Sequence, residues 1–446
     1  MSLTAKAAGR QKYGKLSSLP RSIVEFILAW LEARDLFRVG RVSVAWNKII
    51  ARDTVWRLCV LSKWSPSSAN AKRIVGVSSR GPSNTDWRSR YRELVRITRN
   101  WKMGHYEEVV LYGHTARVNT VSCGANILIS CSEDKTIRIW DIQTRSCLHV
   151  LEGHTKPITD MRFDEKEVIS ASEDGTVRIW SIATGKEERR FQTIDHHDAL
   201  MKAGGSDIDG LTFSVHRLKS TSDRIFCGGF QGQLYIWDRE RGNPLHTILT
   251  PFPSILSSDR LPVQCIDAEG ENLVVGVGDN VFLYDLIIHN GEYPSLPRLT
   301  LHHSSVRTIR ILTPTLKTIV TIGNAHILIF SMTTGLLLQS LLIRVQGFIP
   351  DDIHEIQSPM QIFDRFVLET PDKEADSPDL SHVRVWRAFG QKITEVDAFK
   401  ILVSSHHAKC SNTEVLVIAD RPDHGLTLHD FTIPTPPIKK CQCVIS

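Results

Sequence analysis

The stretch Ser130–Asp141, SCSEDKTIRIWD, returns almost letter for letter at Ser170–Ser181, SASEDGTVRIWS. Its two tryptophans, Trp140 and Trp180, lie 40 residues apart, and each copy is preceded by Gly-His, at Gly113-His114 and Gly153-His154. Self-similarity at a fixed period of this length is the mark of a repeat architecture. Weaker copies of the strand-ending signal follow at Trp237-Asp238, Tyr284-Asp285, Phe330-Ser331, Trp386-Arg387 and His429-Asp430. Taken as the same strand, these positions give seven units. The two longest steps, 57 residues to Trp237 and 56 to Trp386, locate insertions at Asp195–Gly210 and Thr370–Ser381.

The repeated words resemble WD-repeat propeller blades from about Tyr106 to Phe431. The resemblance implies that a His, a Ser, an Asp and a Trp pin the strands of a blade together by hydrogen bonds in series. Here the series reads His114–Ser130–Asp134–Trp140 and His154–Ser170–Asp174–Trp180. It implies a structural role for these residues, not a nucleophilic one, since the trio recurs in both units and no nucleophile elbow is present. His302 is the expected survivor of the series in the fifth unit. Glu107–Leu111 reads as a strand, and Pro434, Pro436 and Pro437 follow the last unit, so the early strand is expected to complete the last blade and leave no open edge.

The chain has 446 residues, 41% of them hydrophobic and 23% charged, enough for a sizeable folded core. Its net charge of +5 does not call for nucleic acid. Met1–Lys15 is polar and basic, without the apolar segment of a signal peptide, and no apolar run is long enough to span a bilayer. The nine cysteines show no CxxC pairs, and the pairs His196-His197, His302-His303 and His406-His407 have no companion ligands at metal spacing. Reduced thiols, no metal and no cofactor are the expectation.

A second organised region precedes the repeats. In Leu16–Trp64, apolar residues at Leu19, Ile23, Phe26, Ile27, Trp30 and Leu31 follow helical spacing behind Pro20, which suits a first helical turn. Leu36, Val39, Val42, Trp46, Ile49 and Ile50 make another amphipathic stretch, and a third ends in Trp56, Leu58 and Cys59. Three such short helices bury little alone. Leu19-Pro20, Ile23, Ile27, Leu31, Asp35-Leu36, Val42-Ser43, Trp46, Ile49, Asp53 and Trp56 together resemble an F-box, with Ser22 where many members carry Glu. The resemblance implies docking on the Skp-type adaptor of a cullin–RING ubiquitin ligase. The docking set is Leu19, Pro20, Ile23, Ile27, Leu31, Leu36, Val42, Trp46 and Ile49.

Between the two regions, Ser65–Pro82 reads as a loop. Asp86–Trp101 reads as a helix with Trp87, Tyr91, Leu94, Val95, Thr98 and Trp101 on one face and Arg88, Arg90, Arg92, Arg96 and Arg99 around it. A basic amphipathic helix can bind membranes or nucleic acid, and resemblance to other F-box/WD-repeat chains implies a spacer. The expected organisation is α plus all-β: a basic tail (1–15), a three-helix F-box (16–64), a loop and helical linker (65–102), a seven-bladed WD-repeat β-propeller (103–433) and a flexible tail (434–446). A propeller supplies a recognition face. Its candidate substrate-facing positions are Asn119, Thr159, Gln264 and Arg307 after the strand-opening residues, and Lys135 and Gly175 after the turn aspartates. Only Arg307 and Lys135 are basic, so a dense phosphate-reading set is absent.

Cys443-Val444-Ile445-Ser446 fits a prenylation box of the farnesyl type, with Cys441 as a palmitoylation site and Lys439 and Lys440 beside it. The expectation from all of these features is a non-catalytic substrate receptor of a Skp–cullin–F-box ligase. It would be lipid-tethered to a cytosolic membrane face after meeting a prenyltransferase. The alternative is a lipid-anchored WD-repeat scaffold outside ubiquitination.

Overall fold

The computed structural model describes residues 20–31, 33–42, 44–64, 86–103, 105–124, 126–193, 214–251, 261–287, 296–304, 306, 308–312, 317–323, 326–342, 365–371, 380–389, 392–404, 408–411, 415–419 and 423–434. The chain divides into two compact units, residues 1–99 and 100–446.

In the first unit, α1 (Arg21–Ala29), α2 (Ala33–Gly40), α3 (Val44–Ile50) and α4 (Asp53–Trp64) are followed by α5 (Trp87–Met103). The sequence pattern reads Leu36–Ile50 as one amphipathic stretch, but the structure breaks it in two, so this region has four helices rather than three. The break follows Gly40, where the Arg41 and Val42 N–H groups close three-residue turns on the Arg38 and Val39 carbonyls. Pro20 precedes α1 and its carbonyl receives the Ile23 and Val24 N–H groups, a use of proline that needs no donor from its own nitrogen. Val24 and Leu28 of α1, Leu36 of α2, Ile50 of α3 and Val55, Trp56, Cys59 and Val60 of α4 are buried. Trp56 donates its Nε1–H to the Ile50 carbonyl at 2.8 Å, which fixes the turn into α4.

On α5, Tyr91, Leu94 and Ile97 are buried at a three-residue spacing, and Tyr91 lies against Trp56 with ring centroids 5.2 Å apart. The Arg88 guanidinium covers Phe37 and Trp56 at 5.5 and 5.6 Å. Val95, expected on the covered face, is exposed, and Ile97 takes that place.

The second unit holds seven antiparallel sheets among the described residues, six of four strands and one of three. The first sheet runs Val118–Cys123, Ile127–Ser132, Ile137–Asp141 and Ser146–Leu151 in sequence order. Its second strand is buried almost throughout, whereas the fourth alternates exposed and half-buried. That contrast is what stacked sheets require, because central strands are covered on both faces and outer ones are not. The core lies between sheets: Ile129, Ile139 and Leu151 of the first join Ile158, Met161 and Val168 of the second. Equivalent clusters join the second sheet to the third, the third to the fourth and the fourth to the fifth.

Each strand-ending signal read from the sequence falls in the third strand of its sheet, Leu426–Asp430 with His429 being third from the Ala408–Ser411 edge, except Trp386, whose strand Leu380–Phe389 is the middle one of three described strands. Glu107–Leu111 pairs antiparallel with Leu426–Asp430, from Glu107 opposite Asp430 to Leu111 opposite Leu426. One sheet therefore combines the first strand of this unit with three strands from its far end. Leu111, Val417, Leu426 and Leu428 of that sheet pack on Val118, Leu128 and Trp140 of the first. The unit boundary falls inside α5 rather than after residue 102. The reason is Asn100: it is buried and its Nδ2 donates to the Phe431 and Ile433 carbonyls at 2.8 and 2.9 Å. The insertion Asp195–Gly210 and the loop Ser65–Pro82 lie outside the described residues. So does the segment between the strands Arg365–Pro371 and Leu380–Phe389.

Candidate interaction surfaces

The blade-pinning residues form a bonded chain whose order differs from the sequence-based series. The Trp140 Nε1–H donates to Ser130 Oγ at 2.9 Å, and Ser130 Oγ meets His114 Nε2 at 2.8 Å. His114 Nδ1 meets Asp134 Oδ2 at 2.7 Å, so Asp134 heads the chain and touches neither Ser130 nor Trp140. An ionised carboxylate can only accept, so Nδ1 carries the proton, Nε2 accepts from the serine and the serine oxygen accepts from the indole. Asp134 also accepts from the Thr115 and Thr136 N–H groups and the Thr136 hydroxyl. Burial alone would raise its carboxyl, but the bonds from His114 and Thr136 outweigh this and hold it far below the usual range. The second copy repeats the geometry with Trp180, Ser170, His154 and Asp174. All four donors and acceptors are used internally. A serine whose oxygen already accepts from an indole, in two copies, is a fastener and not an activated nucleophile.

In the third sheet Cys227 occupies the serine place, opposite a register in which Ile225 faces Trp237. In the fifth, Thr321 does, and its hydroxyl meets His303 Nδ1 at 2.7 Å. The surviving histidine is thus His303, which is buried. His302 points the other way, is exposed, and meets the Asp279 carbonyl at 2.7 Å. Two adjacent histidines at a strand end face opposite sides, and the sequence offers no sign of which turns inward.

The helical unit carries an apolar surface. Ile23, Phe26 and Ile27 of α1 and Trp30 at its C-terminal cap are all exposed, Trp30 to 72%, and lie at i, i+3, i+4 and i+7 on one side. Val24 and Leu28 on the other side supply the core. Pro20 is exposed beside this face, and Val42 is exposed to 76%. Leu31, Trp46 and Ile49 are half-buried, and Leu19 lies outside the described residues. Leu36 departs from its expected role: it is fully buried and cannot touch a partner. Phe26 and Trp30, absent from the sequence-based docking set, extend the exposed face, with their rings edge to face at 6.1 Å. Their helical spacing was visible, but nothing in it said which of two apolar faces the unit keeps for itself.

The expected substrate-facing positions fall at irregularities in the first strands. Asn119 and Thr159 sit at register shifts, and Asn119 Nδ2 donates to the Ile158 carbonyl of the next sheet at 3.0 Å. Thr159 is buried and its hydroxyl donates to the Val215 carbonyl at 2.8 Å. Both therefore lace one sheet to the next instead of standing free. Gln264 occupies the same place in the fourth sheet, and His216, which the sequence reading missed, occupies it in the third. His216 lies 4.7 Å from Phe230, ring to ring. Its position after Val215, as Asn119 follows Val118, is the signal that would have found it. Lys135 is exposed at a turn with φ of 70°, and Arg307, Cys441 and Cys443 lie outside the described residues. Six cysteines among the described residues are free, and no group of three or more His, Cys, Asp or Glu there could hold a metal ion.

Comparison with known families places these features. Residues 16–62 match the F-box-like family, and residues 106–141 and 145–181 match the WD domain, G-beta repeat family. The chain therefore carries an F-box-like segment and two segments like WD repeats, and its antiparallel four-stranded sheets fit a WD-repeat propeller.

Some relatives carry F-box, WD-repeat or ligase-subunit names. An F-box protein of Saccharomyces cerevisiae is 30% identical over 148 residues, covering 29% of this chain and 23% of that one. The probable E3 ubiquitin ligase complex SCF subunit sconB of Arthroderma benhamiae is 27% identical over 154 residues, with the same coverage. The F-box/WD repeat-containing protein pof1 of Schizosaccharomyces pombe is 25% identical over 193 residues, 29% of this chain and 32% of its own length. The chain thus spans a third or less of the relatives it matches.

Proposed function

We propose that this protein is a non-catalytic substrate-recognition subunit of a Skp–cullin–F-box ubiquitin ligase. The observation that carries this reading is the exposed apolar face of α1, Ile23, Phe26, Ile27 and Trp30, within a segment matching the F-box-like family. An apolar stripe of this kind suits a helix-in-groove partner. The adaptor and cullin would meet the helical unit, and a protein substrate would meet the sheets. The names of relatives as SCF subunits support the same reading.

In this proposal the seven sheets form one closed seven-bladed ring, with Glu107–Leu111 serving as the outer strand of the last blade. The ring acts by holding target lysines near a charged ubiquitin-conjugating enzyme, which raises their effective concentration. Affinity purification of the full chain, with and without a proteasome inhibitor, tests the assignment. Adaptor and cullin should co-purify with wild type and be lost with Pro20→Asp. Equal recovery from both refutes it.

A lipid on Cys443 is a separate proposal that rests on the Cys-Val-Ile-Ser tetrapeptide alone. Mass spectrometry of the peptide following Lys440, from cells with active prenyltransferase, should show a farnesyl mass. An unmodified peptide removes this part and leaves the ligase reading intact.

A further inference from the structure

Charge is divided very unevenly between the two units. Residues 1–99 contain twenty Lys and Arg against six Asp and Glu, a net charge of +14, while the remaining 34 and 43 give −9. The modest +5 of the whole chain hides this separation.

Part of the basic excess is concentrated on α5. Arg92, Arg96 and Arg99 stand at i, i+4 and i+7, on the side of the helix away from buried Tyr91, Leu94 and Ile97. Arg92 and Arg99 are exposed, and Arg96 is half-buried with an Nε that has no hydrogen-bond partner among the described residues. The only carboxylate of this helix, Glu93, pairs with Arg90 on a different side at 2.8 Å. Among the described residues no salt bridge joins a carboxylate to Arg92, Arg96 or Arg99, although Asp86, just ahead of the helix, feels the Arg92 charge weakly. Like charges one turn apart weaken a helix. A stripe of three arginines, with no salt bridge to a carboxylate among the described residues, suits an anionic partner outside the chain. Val95, 43% exposed, sits among them.

We propose that this arginine stripe is a docking surface for an anionic phospholipid membrane. Guanidinium groups pair with lipid phosphates and carboxylates, and a plane of headgroups offers anions at any spacing along the roughly 10 Å from Arg92 to Arg99. Val95 enters the headgroup boundary as the arginines meet the charge above it. The stripe presents no Asn, Gln or aromatic side chain to read or stack on bases, which favours lipid over nucleic acid. The diffuse positive charge of the helical unit adds long-range attraction that salt screens. This surface is independent of the α1 apolar face.

The test uses the full chain made in bacteria, where no prenyl group contributes. Co-sedimentation is measured with vesicles of phosphatidylcholine alone and with about one-third phosphatidylserine, at low and high salt. Wild type should sediment with the anionic vesicles only, and lose them at high salt. Arg92→Gln, Arg96→Gln and Arg99→Gln combined should weaken binding by about tenfold or more, at roughly fivefold per arginine or less. The triple lysine replacement should retain most binding and so exclude a folding defect. Equal sedimentation of wild type and the glutamine variant, or none by wild type, overturns the proposal. So does tighter binding to a DNA duplex than to vesicles at equal phosphate concentration, which assigns the stripe to nucleic acid. Adaptor capture from the same samples reports the ligase reading separately.

Discussion

Asn100 Nδ2 and the Phe431 carbonyl, 331 positions apart in the chain, are hydrogen-bonded at 2.8 Å in a site closed to solvent. The same amide reaches the Ile433 carbonyl, and the Asn100 carbonyl accepts the His105 N–H at 2.9 Å. One side chain thus links the end of α5, the chain entering the first strand and the chain leaving the last. Asn100→Ala removes the amide that donates to the Phe431 and Ile433 carbonyls and should cost about 1–3 kcal/mol. Urea unfolding of the full chain measures it, and an unchanged midpoint would show that the bond contributes nothing.

Gly153 precedes His154 with a φ of +155°, and a Cβ there would collide with the Arg178 guanidinium and lie 3.2 Å from the Trp180 ring. Gly113 stands in the same relation to Arg138 and Trp140, at 2.7 and 3.0 Å. The glycine of each Gly-His pair therefore lies against an arginine guanidinium and a tryptophan ring that leave little room for a side chain. Gly153→Ala should destabilise the sheets by about 1–3 kcal/mol, through displaced Trp180 and a strained backbone. A melting temperature equal to wild type would contradict this.

Acid should unfold the second unit in two stages. Burial, with a smaller contribution from neighbouring positive charge, lowers His303 and His216 to about 4. The unfolded chain then binds more protons than the folded one between about pH 6.5 and 4, so stability falls as pH drops through that window. Asp134 and Asp174 are held below the ordinary carboxylate range despite their burial, by hydrogen bonds from His114 and His154. Their contribution is complete above about pH 4 and is lost as pH falls further. Urea midpoints between pH 8 and 3 test both stages. His303→Gln should flatten the upper window, and Asp174→Asn the lower; profiles parallel to wild type would refute the assignment.

The repeats were legible because Ser130, Asp134, Trp140 and their second copies all serve one bonded chain that tolerates few substitutes. Even the weak signals at Tyr284, Phe330 and His429 kept their place in the third strand, since the interface between sheets needs a bulky ring there. What the sequence obscured were choices between adjacent residues of like character. His302 and His303 look alike until one meets Thr321. Leu36 and Val42 are both apolar in the F-box-like pattern, yet one is core and the other solvent-facing. Asn119 and Thr159 were read as recognition residues from their place after the strand-opening residues, whereas their hydrogen bonds run to neighbouring sheets, contacts that local sequence does not reveal.

Leu36 and Ile27 separate folding from docking. Leu36→Ala opens a cavity in a closed core and should cost about 2–5 kcal/mol. Ile27→Asp changes an exposed position and should alter stability by about 0.5 kcal/mol or less. Thermal unfolding of the two variants compares them, and similar losses would show that the α1 face is part of the core.

The most direct test of the account is a calorimetric titration of purified Skp-type adaptor into the full chain, wild type against Ile23→Asp with Ile27→Asp. The account predicts saturable binding by wild type and none by a variant that unfolds at the wild-type temperature. Equal affinity for the two proteins would contradict it.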